Sequence, residues 1–350
     1  MKLRARILLL LMLTAPVLAR DSTDVIVMKN GDHLTGEIKG LSQGVLYISM
    51  QYILGTSQVQ WFKVDHIESK QLFLVKTERG NVYTGTLSTA EAAEGRPMTI
   101  EVVESSSQQV KLERPNVVQM DQTSERFWQR FNGQINSGIT YTKGNQSTQY
   151  NLGAKVAYPR ERWEASASYN STLSTSSGVT ATTRNQISLE GEHLMRWDNW
   201  FYAGLAGLLQ SSVQEINIQT SIGGGIGRYL ANTSFARIYV LGGFGYQRTQ
   251  YSPNLAISNP QQVATGLVAA GARLFRFNKT TLDVTTSVFP AISQPGRVYA
   301  NLNATYYIKV SGNLSWNVSF YGSWDNQPPP TFSGSDYGTS SGLSITWGNR

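Results

Sequence analysis

The chain contains no cysteine, and it has no uninterrupted apolar run of about eighteen residues, the length that a membrane-spanning helix needs. The first absence excludes disulfide bonds and a lipid attached through a cysteine. The second absence excludes a transmembrane helix. The mean hydropathy of −0.26 also disagrees with a helical membrane protein. Stability must therefore come from burial of side chains and closure of sheets.

Residues 1–19 have the features of a secretory signal peptide. Basic residues precede a short apolar segment at residues 7–13, and small residues at 17–19 form a cleavage site. The apolar segment is too short to cross a bilayer as a helix. We therefore expect an exported chain whose mature part begins near Arg20.

Strict alternation of apolar and polar residues dominates the second part of the chain. In residues 298–321, Leu302, Trp316 and Val318 alternate with polar residues on either side of a turn at 311–313. Alternation with period two predicts antiparallel strands with one apolar and one polar face. The pattern recurs in twelve segments, at residues 131–142, 147–158, 162–173, 182–194, 200–211, 216–229, 235–249, 262–275, 279–290, 297–309, 313–325 and 336–347.

The connections between these segments alternate in length. Short turns such as residues 159–161 and 311–312 alternate with Ser-, Gly- and Pro-rich stretches such as 174–180 and 249–261. An outer-membrane barrel with both chain ends in the periplasm shows this asymmetry, whereas a soluble β-sandwich is not expected to sort its loops by length. We predict an all-β fold, with a porin-like 12-stranded antiparallel transmembrane β-barrel at residues 131–350 in the outer membrane of a Gram-negative bacterium.

Alternation also assigns the two faces of the barrel. The polar face predicts a lumen wall that includes Lys155, Glu164, Arg184, Glu190, Arg273, Asp283, Tyr299, Asn301, Asn303, Tyr307, Asn317 and Tyr321. Aromatic residues near the short turns predict an interfacial girdle of Tyr158, Trp163, Trp197, Trp200, Tyr229, Phe275 and Tyr306. Because the lumen set carries both charge signs, we expect its charges to pair into a plug. The eighth segment leaves its register open, because both of its faces are small or apolar.

The first part of the mature chain contains an internal repeat. Residues 29–38 match residues 78–87 at an offset of 49, with Gly31 and Gly80 in equivalent turns. Units of this size predict two small periplasmic SH3-like or Sm-like barrels in tandem. The predicted boundaries of the two units and of the polar linker that follows are residues 24–70, 71–121 and 122–130. A spacer and a specific binding module are both open as their role.

The formal net charge of +7 is concentrated in the barrel segments. Their basic residues cluster beside predicted turns, where they would meet the phosphates of outer-membrane lipid and lipopolysaccharide. Export argues against a nucleic-acid partner. The last segment, which ends at Trp347, resembles the signal that the barrel-assembly machinery recognises, so we expect that machinery as a partner during insertion.

Four short motifs resemble one known family. They occur in order at residues 142–148, 197–204, 223–229 and 324–329. Together they resemble the domain-of-unknown-function family 481, described as salt-induced outer membrane β-barrel proteins, over about residues 130–350. The resemblance implies an outer-membrane barrel without an established biochemical role. It carries over no catalytic residue, and it does not cover the N-terminal repeats.

Candidate catalytic and metal-binding residues are scarce. Barrel enzymes need a histidine with a serine or acidic partners near the outer rim, but His193 falls near the periplasmic end of its segment. The glycine run at 223–227 lies inside a strand without a following helix, so it does not predict a phosphate loop. Four possible metal ligands occur in the first repeat, namely Asp32, His33, Asp65 and His66. They include no cysteine and lack the close histidine spacing that zinc prefers. We predict no enzyme activity, no metal and no cofactor.

Two functions fit these features. The first is a structural, envelope-integrity or stress-related role, in which the repeats act as a tether or binding module for peptidoglycan or a periplasmic protein. The second is a narrow diffusion channel for small polar solutes. About twelve strands leave room for a small channel at best once Tyr299, Tyr307 and Tyr321 point inward.

Overall fold

The computed structural model describes residues 23–89, 98–104, 109–122, 131–142, 147–160, 162–176, 178–195, 198–252, 260–276, 279–328 and 333–347. The predicted signal peptide, residues 123–130 of the predicted linker, and Trp197 lie outside the described residues. The described chain forms a nine-stranded sheet followed by a closed twelve-stranded barrel. No helix among these residues is long and apolar enough to cross a membrane.

The N-terminal domain, residues 24–122, is an antiparallel sheet. Its strands are β1 (Asp24–Met28), β2 (His33–Ser42), β3 (Val45–Ser49), β4 (Thr56–Gln60), β5 (Val64–Thr77), β6 (Val82–Thr89), β7 (Thr99–Glu104), β8 (Gln109–Glu113) and β9 (Val117–Gln122). The strand order is β4-β3-β2-β1-β5-β6-β7-β8, and β9 pairs with both β2 and β5. Strands β1, β2, β9 and β5 therefore close into a small four-stranded barrel.

The two copies of the sequence repeat adopt the same order of elements. Each has a turn with glycine at positive φ, Gly31 at 88° and Gly80 at 79°. Each also has a 3₁₀ turn before its last strand, at Trp61–Lys63 and Arg114–Asn116. The sequence alignment of the copies thus corresponds to a structural repeat.

The prediction of two small barrels in tandem is confirmed only in part, as one four-stranded barrel. The predicted boundary between residues 70 and 71 does not separate two cores. That boundary falls inside β5, a continuous strand that ends the first copy and begins the second. One apolar core takes buried side chains from both copies, including Ile38, Phe73, Leu87 and Met120. A unit of about fifty residues buries too little apolar surface to be stable by itself, so the copies share a core.

Twelve strands form the barrel. They are β10 (Asn132–Thr142), β11 (Ser147–Pro159), β12 (Trp163–Ser176), β13 (Val179–Leu194), β14 (Trp200–Ser211), β15 (Ile216–Asn232), β16 (Ala236–Tyr251), β17 (Gln261–Arg276), β18 (Thr280–Pro290), β19 (Val298–Ser311), β20 (Leu314–Asp325) and β21 (Ser335–Trp347). Each pairs with the next in antiparallel fashion, and β10 pairs with β21 to close the ring. The predicted 12-stranded antiparallel barrel is confirmed.

Cross-strand register separates an outer face from an inner face. Leu302 pairs with Gly322, and Tyr306 with Val318, on the outer face, where the large apolar side chains are exposed. Asn303 pairs with Tyr321 on the inner face. An exposed apolar belt around a closed barrel is the surface that contacts lipid, because closure pairs the strand backbone and leaves no free edge. The barrel is therefore a transmembrane barrel.

The structure decides the register that the sequence left open in β17. Val263, Thr265 and Leu267 point inward and are almost completely buried. Val268 points outward and is 62% exposed. The inner face of β17 is therefore packed against other side chains, and the outer face belongs to the apolar belt.

The barrel has two distinct ends. The short-turn end carries the start of β10 and the end of β21, and the loop end lies opposite. The predicted long loop at residues 174–180 is wrong, because β12 continues to Ser176 and β13 begins at Val179 around Gly178, whose φ is 76°. Threonine residues there favour extension of the two strands, since β-branched side chains fit a pleated sheet.

Replacing Phe73 should show that the N-terminal domain is one folding unit. We expect Phe73→Ala to destabilise it by about 3–5 kcal/mol, because the side chain is completely buried in the shared core. Hydrogen exchange in the full-length protein should show loss of amide protection in both copies together. Phe62→Ala, at a phenylalanine that is 48% exposed, is the control. Loss of protection confined to one copy would contradict a shared core.

Candidate functional site: the barrel lumen

The residues that the sequence predicts for the lumen wall all lie on the inner face of their strands. Lys155 is opposite Gln134, Glu164 opposite Glu192, and Arg273 opposite Asp283. Their roles remain predictions. The structure adds inward partners that the sequence analysis did not single out, chiefly Glu192, Arg237, Arg297, Asp325 and Asp336.

One ion pair near the loop end connects two strands that are not neighbours in the sheet. Nη1 of Arg184 on β13 lies 2.7 Å from Oδ2 of Asp336 on β21, and both side chains are largely buried. Ser211 donates a second hydrogen bond to the same carboxylate oxygen at 3.3 Å. The Arg184 guanidinium also lies 5.3 Å from the ring centroid of Tyr321. This pair narrows the lumen while leaving it locally neutral.

A second arginine fixes the loop between β18 and β19 to the barrel rim. Arg297 makes a bidentate pair with Asp325, with Nε to Oδ1 at 3.1 Å and Nη2 to Oδ2 at 2.7 Å. Its Nη1 also donates to the side-chain oxygens of Gln261 and Gln294, each at 2.9 Å. Bidentate arginine–carboxylate pairs are strong and directional. The loop is therefore tied across the mouth of the barrel.

A third ion pair lies toward the short-turn end. Arg273 and Asp283 are direct cross-strand neighbours on β17 and β18, and their side chains form a salt bridge. Nearby, Nε2 of Gln134 on β10 donates to the hydroxyl of Tyr307 on β19 at 3.0 Å. Because β20 and β21 lie between these two strands in the sheet, this hydrogen bond spans part of the lumen.

The expectation of a polar lumen wall fails on one side of the barrel. An inner apolar cluster, formed by Phe201, Tyr229, Leu241 and Leu267, fills the interior beside β14 to β17. Phe201 and Leu267 are each only 2% exposed, and the rings of Phe201 and Tyr229 are 4.8 Å apart. Alternation distinguishes the two faces of a strand, but it does not show that inward apolar residues of four strands meet.

Glycines make room for this cluster. A Cβ on Gly227 would lie 2.4 Å from Cζ of Phe201, and a Cβ on Gly271 would lie 2.2 Å from Cε1 of Tyr239. Both distances are far inside van der Waals contact, so no larger residue fits without displacing the rings. The glycine run at 223–227 thus serves close strand packing beside bulky lumen residues.

The predicted aromatic girdle is partly wrong. Trp163, Trp200 and Tyr306 point outward and are exposed, and Tyr158 packs on the outer face between Phe131 and Trp163, with ring centroids at 4.9 and 5.8 Å. The other two described members point into the lumen: Tyr229 and Phe275. They were assigned by nearness to a turn, whereas alternation along the strand decides the face.

His193 lies on the outer face at the short-turn end, where its ring stacks on Tyr202 at 4.8 Å with an interplanar angle of 7°. Within the described chain, no group of three or more histidine, aspartate or glutamate side chains is arranged to hold a metal ion.

The N-terminal domain contacts the short-turn end of the barrel. Nδ2 of Asn199 donates to the carbonyl oxygen of Glu78 at 2.8 Å. Arg237 donates to the Gln119 side chain at 3.2 Å, and its guanidinium lies 5.7 Å from the ring centroid of Tyr229. Arg237 therefore links the domain to the inner apolar cluster.

Substitution of Gly227 tests the packing of this cluster. We expect Gly227→Ala to destabilise the folded barrel by about 1–3 kcal/mol, because the new methyl group would overlap the Phe201 ring. Gly204→Ala is the matched control, since a Cβ there meets nothing within 4 Å. The measurement is the urea midpoint at which the heat-modifiable folded band disappears. Equal midpoints for the two variants would contradict the packing.

Several solved structures are similar to this chain. The translocator domain of the autotransporter NalP from Neisseria meningitidis is 16% identical, with 62% of this chain and 86% of that chain covered and a TM-score of 0.32. The NanC porin is 11% identical, with 61% and 97% covered and a TM-score of 0.37. The outer membrane protease OmpT from Escherichia coli is 10% identical, with 62% and 96% covered and a TM-score of 0.23. Identities and TM-scores this low carry no information on activity.

No curated protein matches the chain at a significant level. The family described as "Protein of unknown function, DUF481" matches residues 135–347, which is more than half of the chain and nearly the whole barrel. The resemblance noted in the four short motifs is thereby confirmed, and the chain belongs to the DUF481 family.

Proposed function

We propose that this protein is an outer-membrane barrel with a structural role in envelope integrity, and that its N-terminal domain acts in the periplasm as a tether or binding module. The observation that carries this proposal is the inner apolar cluster, which fills one side of the lumen. A diffusion pore needs a continuous water-filled path, whereas this cluster and the Arg184–Asp336 ion pair narrow the lumen. A role in envelope stress belongs to the same proposal.

The position of the N-terminal domain supports a periplasmic role. It contacts the short-turn end of the barrel through Asn199 and Arg237. The first barrel strand begins at that end, and the last barrel strand ends there. In outer-membrane barrels the short turns and both strand termini face the periplasm. Outer-membrane lipid and lipopolysaccharide would then surround the apolar belt, with insertion by the barrel-assembly machinery.

An exposed apolar tip supports a binding role for the domain. Tyr52, Ile53 and Leu54 lie in the turn between β3 and β4 with their side chains in solvent, and Leu54 is fully exposed. Three consecutive exposed apolar residues are unusual on a soluble surface and are typical of interaction sites. An apolar tip suits a periplasmic protein better than the sugar strands of peptidoglycan.

The second candidate is a narrow diffusion channel for small polar solutes. The observation in its favour is that Lys155 and Glu190, both on the inner face, are exposed to solvent. Water therefore reaches part of the lumen away from the inner apolar cluster. A path along this polar side would admit only small solutes.

Planar-bilayer conductance separates the two candidates. We expect no stable openings from the wild-type protein, and unitary openings from Phe201→Ala combined with Leu267→Ala, because the double variant empties the apolar side of the lumen. Val268→Ala, on the outer face of the same strand, is the control and should stay silent. Stable openings of the wild type would overturn the structural proposal in favour of the channel.

The binding module can be tested in cells that lack the protein. We expect wild type to restore resistance to detergent, and Ile53→Ser combined with Leu54→Ser to fail although its barrel inserts normally. Leu72→Ser, at a partly exposed leucine elsewhere in the domain, is the control and should restore resistance. If the tip variant restored resistance fully, the tip would have no binding role. If the deletion strain showed normal detergent resistance, that result would argue against an envelope role.

A further inference from the structure

The seam that closes the barrel is paired along only part of its length. Strands β10 and β21 pair from Gly133 with Trp347 to Gly138 with Gly342. Toward the loop end, both strands continue within the described residues. There β10 pairs only with β11, as far as Thr142, and β21 pairs only with β20, as far as Ser335.

Two other strand pairs of the barrel have no such gap. Strands β12 and β13 pair up to their connecting turn, where Ser176 meets Val179. Strands β20 and β21 likewise pair up to Trp324 with Ser335. If the seam continued in register, residues 139–142 would pair with 338–341. We refer to these two segments as the seam gap.

The seam gap begins beside the apolar belt, where Ile139 is 63% exposed. Unpaired N–H and C=O groups do not face hydrocarbon without a partner, because the bilayer core offers no hydrogen bonds. Water from the lumen or polar atoms of a ligand must therefore reach the gap. The β21 side of the gap carries only small side chains, Gly338, Thr339, Ser340 and Ser341. The Tyr321 ring packs beside Gly338, and the Trp316 indole donates to the Ser341 hydroxyl at 2.8 Å.

A polar cavity lies behind the seam gap. It has a volume of about 280 Å³ and is lined from β11, β12 and β13 on one side and from β20 and β21 on the other. Its lining includes Gln149, Thr172, Thr182, Arg184, Tyr321 and Asp336. Strand β10 and the seam gap stand between these two groups of strands in the sheet order. The cavity and the gap are therefore neighbours.

The chemistry of the cavity restricts its ligand. Arg184 and Asp336 neutralise each other through their ion pair, so the cavity has no unbalanced charge from these residues. What it offers are hydroxyl, amide and aromatic groups, which suit hydroxyl-bearing rings. Sugars bind through such hydrogen bonds and through packing on an aromatic face. A neutral, hydroxyl-rich group fits better than a phosphate.

We propose that the cavity and the seam gap together form a binding site for an amphiphile with a neutral, sugar-like head group. The head group occupies the cavity, and the acyl chain passes between β10 and β21 into the leaflet at the loop end. This site goes beyond the structural role proposed above, which needs no ligand. With the short-turn end in the periplasm, the chain would enter the outer leaflet.

The absence of cysteine makes the gap directly testable. Thr140→Cys with Ser340→Cys places a disulfide across the seam gap. The matched control, Asn136→Cys with Ser344→Cys, places one across residues that already pair. The full-length proteins are compared in phosphatidylcholine nanodiscs, oxidised and reduced, with radiolabelled dodecyl maltoside as the probe.

We expect saturable binding of dodecyl maltoside to the wild type and to the oxidised control variant, which carries cysteines at 136 and 344. The oxidised gap variant, with cysteines at 140 and 340, should lose affinity by about tenfold or more, and reduction of its disulfide should restore the affinity. Removing cavity hydroxyls by Thr172→Val with Thr182→Val should weaken binding by up to about tenfold with the barrel intact. Dodecylphosphocholine, with a zwitterionic phosphate-containing head group on the same alkyl chain, should bind more weakly. Absence of saturable binding, or equal affinity of the two oxidised locks, would overturn the proposal.

Hydrogen exchange gives a readout that does not depend on the probe. Amides of residues 139–142 and 338–341 should exchange faster than those of 133–138 and 342–347 in the wild type. Equal protection along the whole seam would show that the gap is closed in the membrane, and it would overturn the proposal without affecting the structural role of the barrel.

Discussion

Backbone hydrogen bonding in an environment without water is the constraint on which this structure depends. In the bilayer core each peptide N–H and C=O must find a partner, and a sheet meets that requirement only by closing on itself. Closure of β10 on β21 turns twelve hairpin-connected strands into a barrel. Alternation then places every second side chain against lipid, as for Leu302 and Val318. Because of the same requirement, the backbone groups of the seam gap need another hydrogen-bonding partner.

Inside the barrel, glycine and aromatic residues are complementary. Gly227 and Gly271 leave space into which Phe201 and Tyr239 pack. The inward side chains of β14 to β17 thereby form a core of the kind usually found in soluble domains. On the other side, arginine–carboxylate pairs such as Arg184 with Asp336 satisfy buried charge by direct contact. Burial of such a pair costs desolvation free energy, so the pair stabilises the fold only when its geometry is good. Here the two charged groups are in direct contact.

The N-terminal domain illustrates a different solution to limited size. Two copies of a short repeat share β5 and a single core, in which Ile38 of the first copy and Leu87 of the second are both buried. Neither copy needs a complete core of its own. The domain then contacts the short-turn end of the barrel through Glu78, in the turn after β5, and through Gln119 on β9. The shared core of this domain and the apolar cluster on one side of the lumen are the two features on which the proposed tether role depends.

The sequence by itself determined the local features of this protein. Period-two alternation is a property of neighbouring residues, so it was sufficient to predict twelve strands, their outer and inner faces in regions such as 298–321, and the repeat around Gly31 and Gly80. Tertiary structure decided everything that depends on which strands meet. It joined the two repeats through one core, turned Tyr229 and Phe275 inward, paired Arg184 with Asp336, and ended the seam at Gly138. These outcomes follow from contacts between residues far apart in the chain, whose free energies depend on burial and geometry that no local pattern contains.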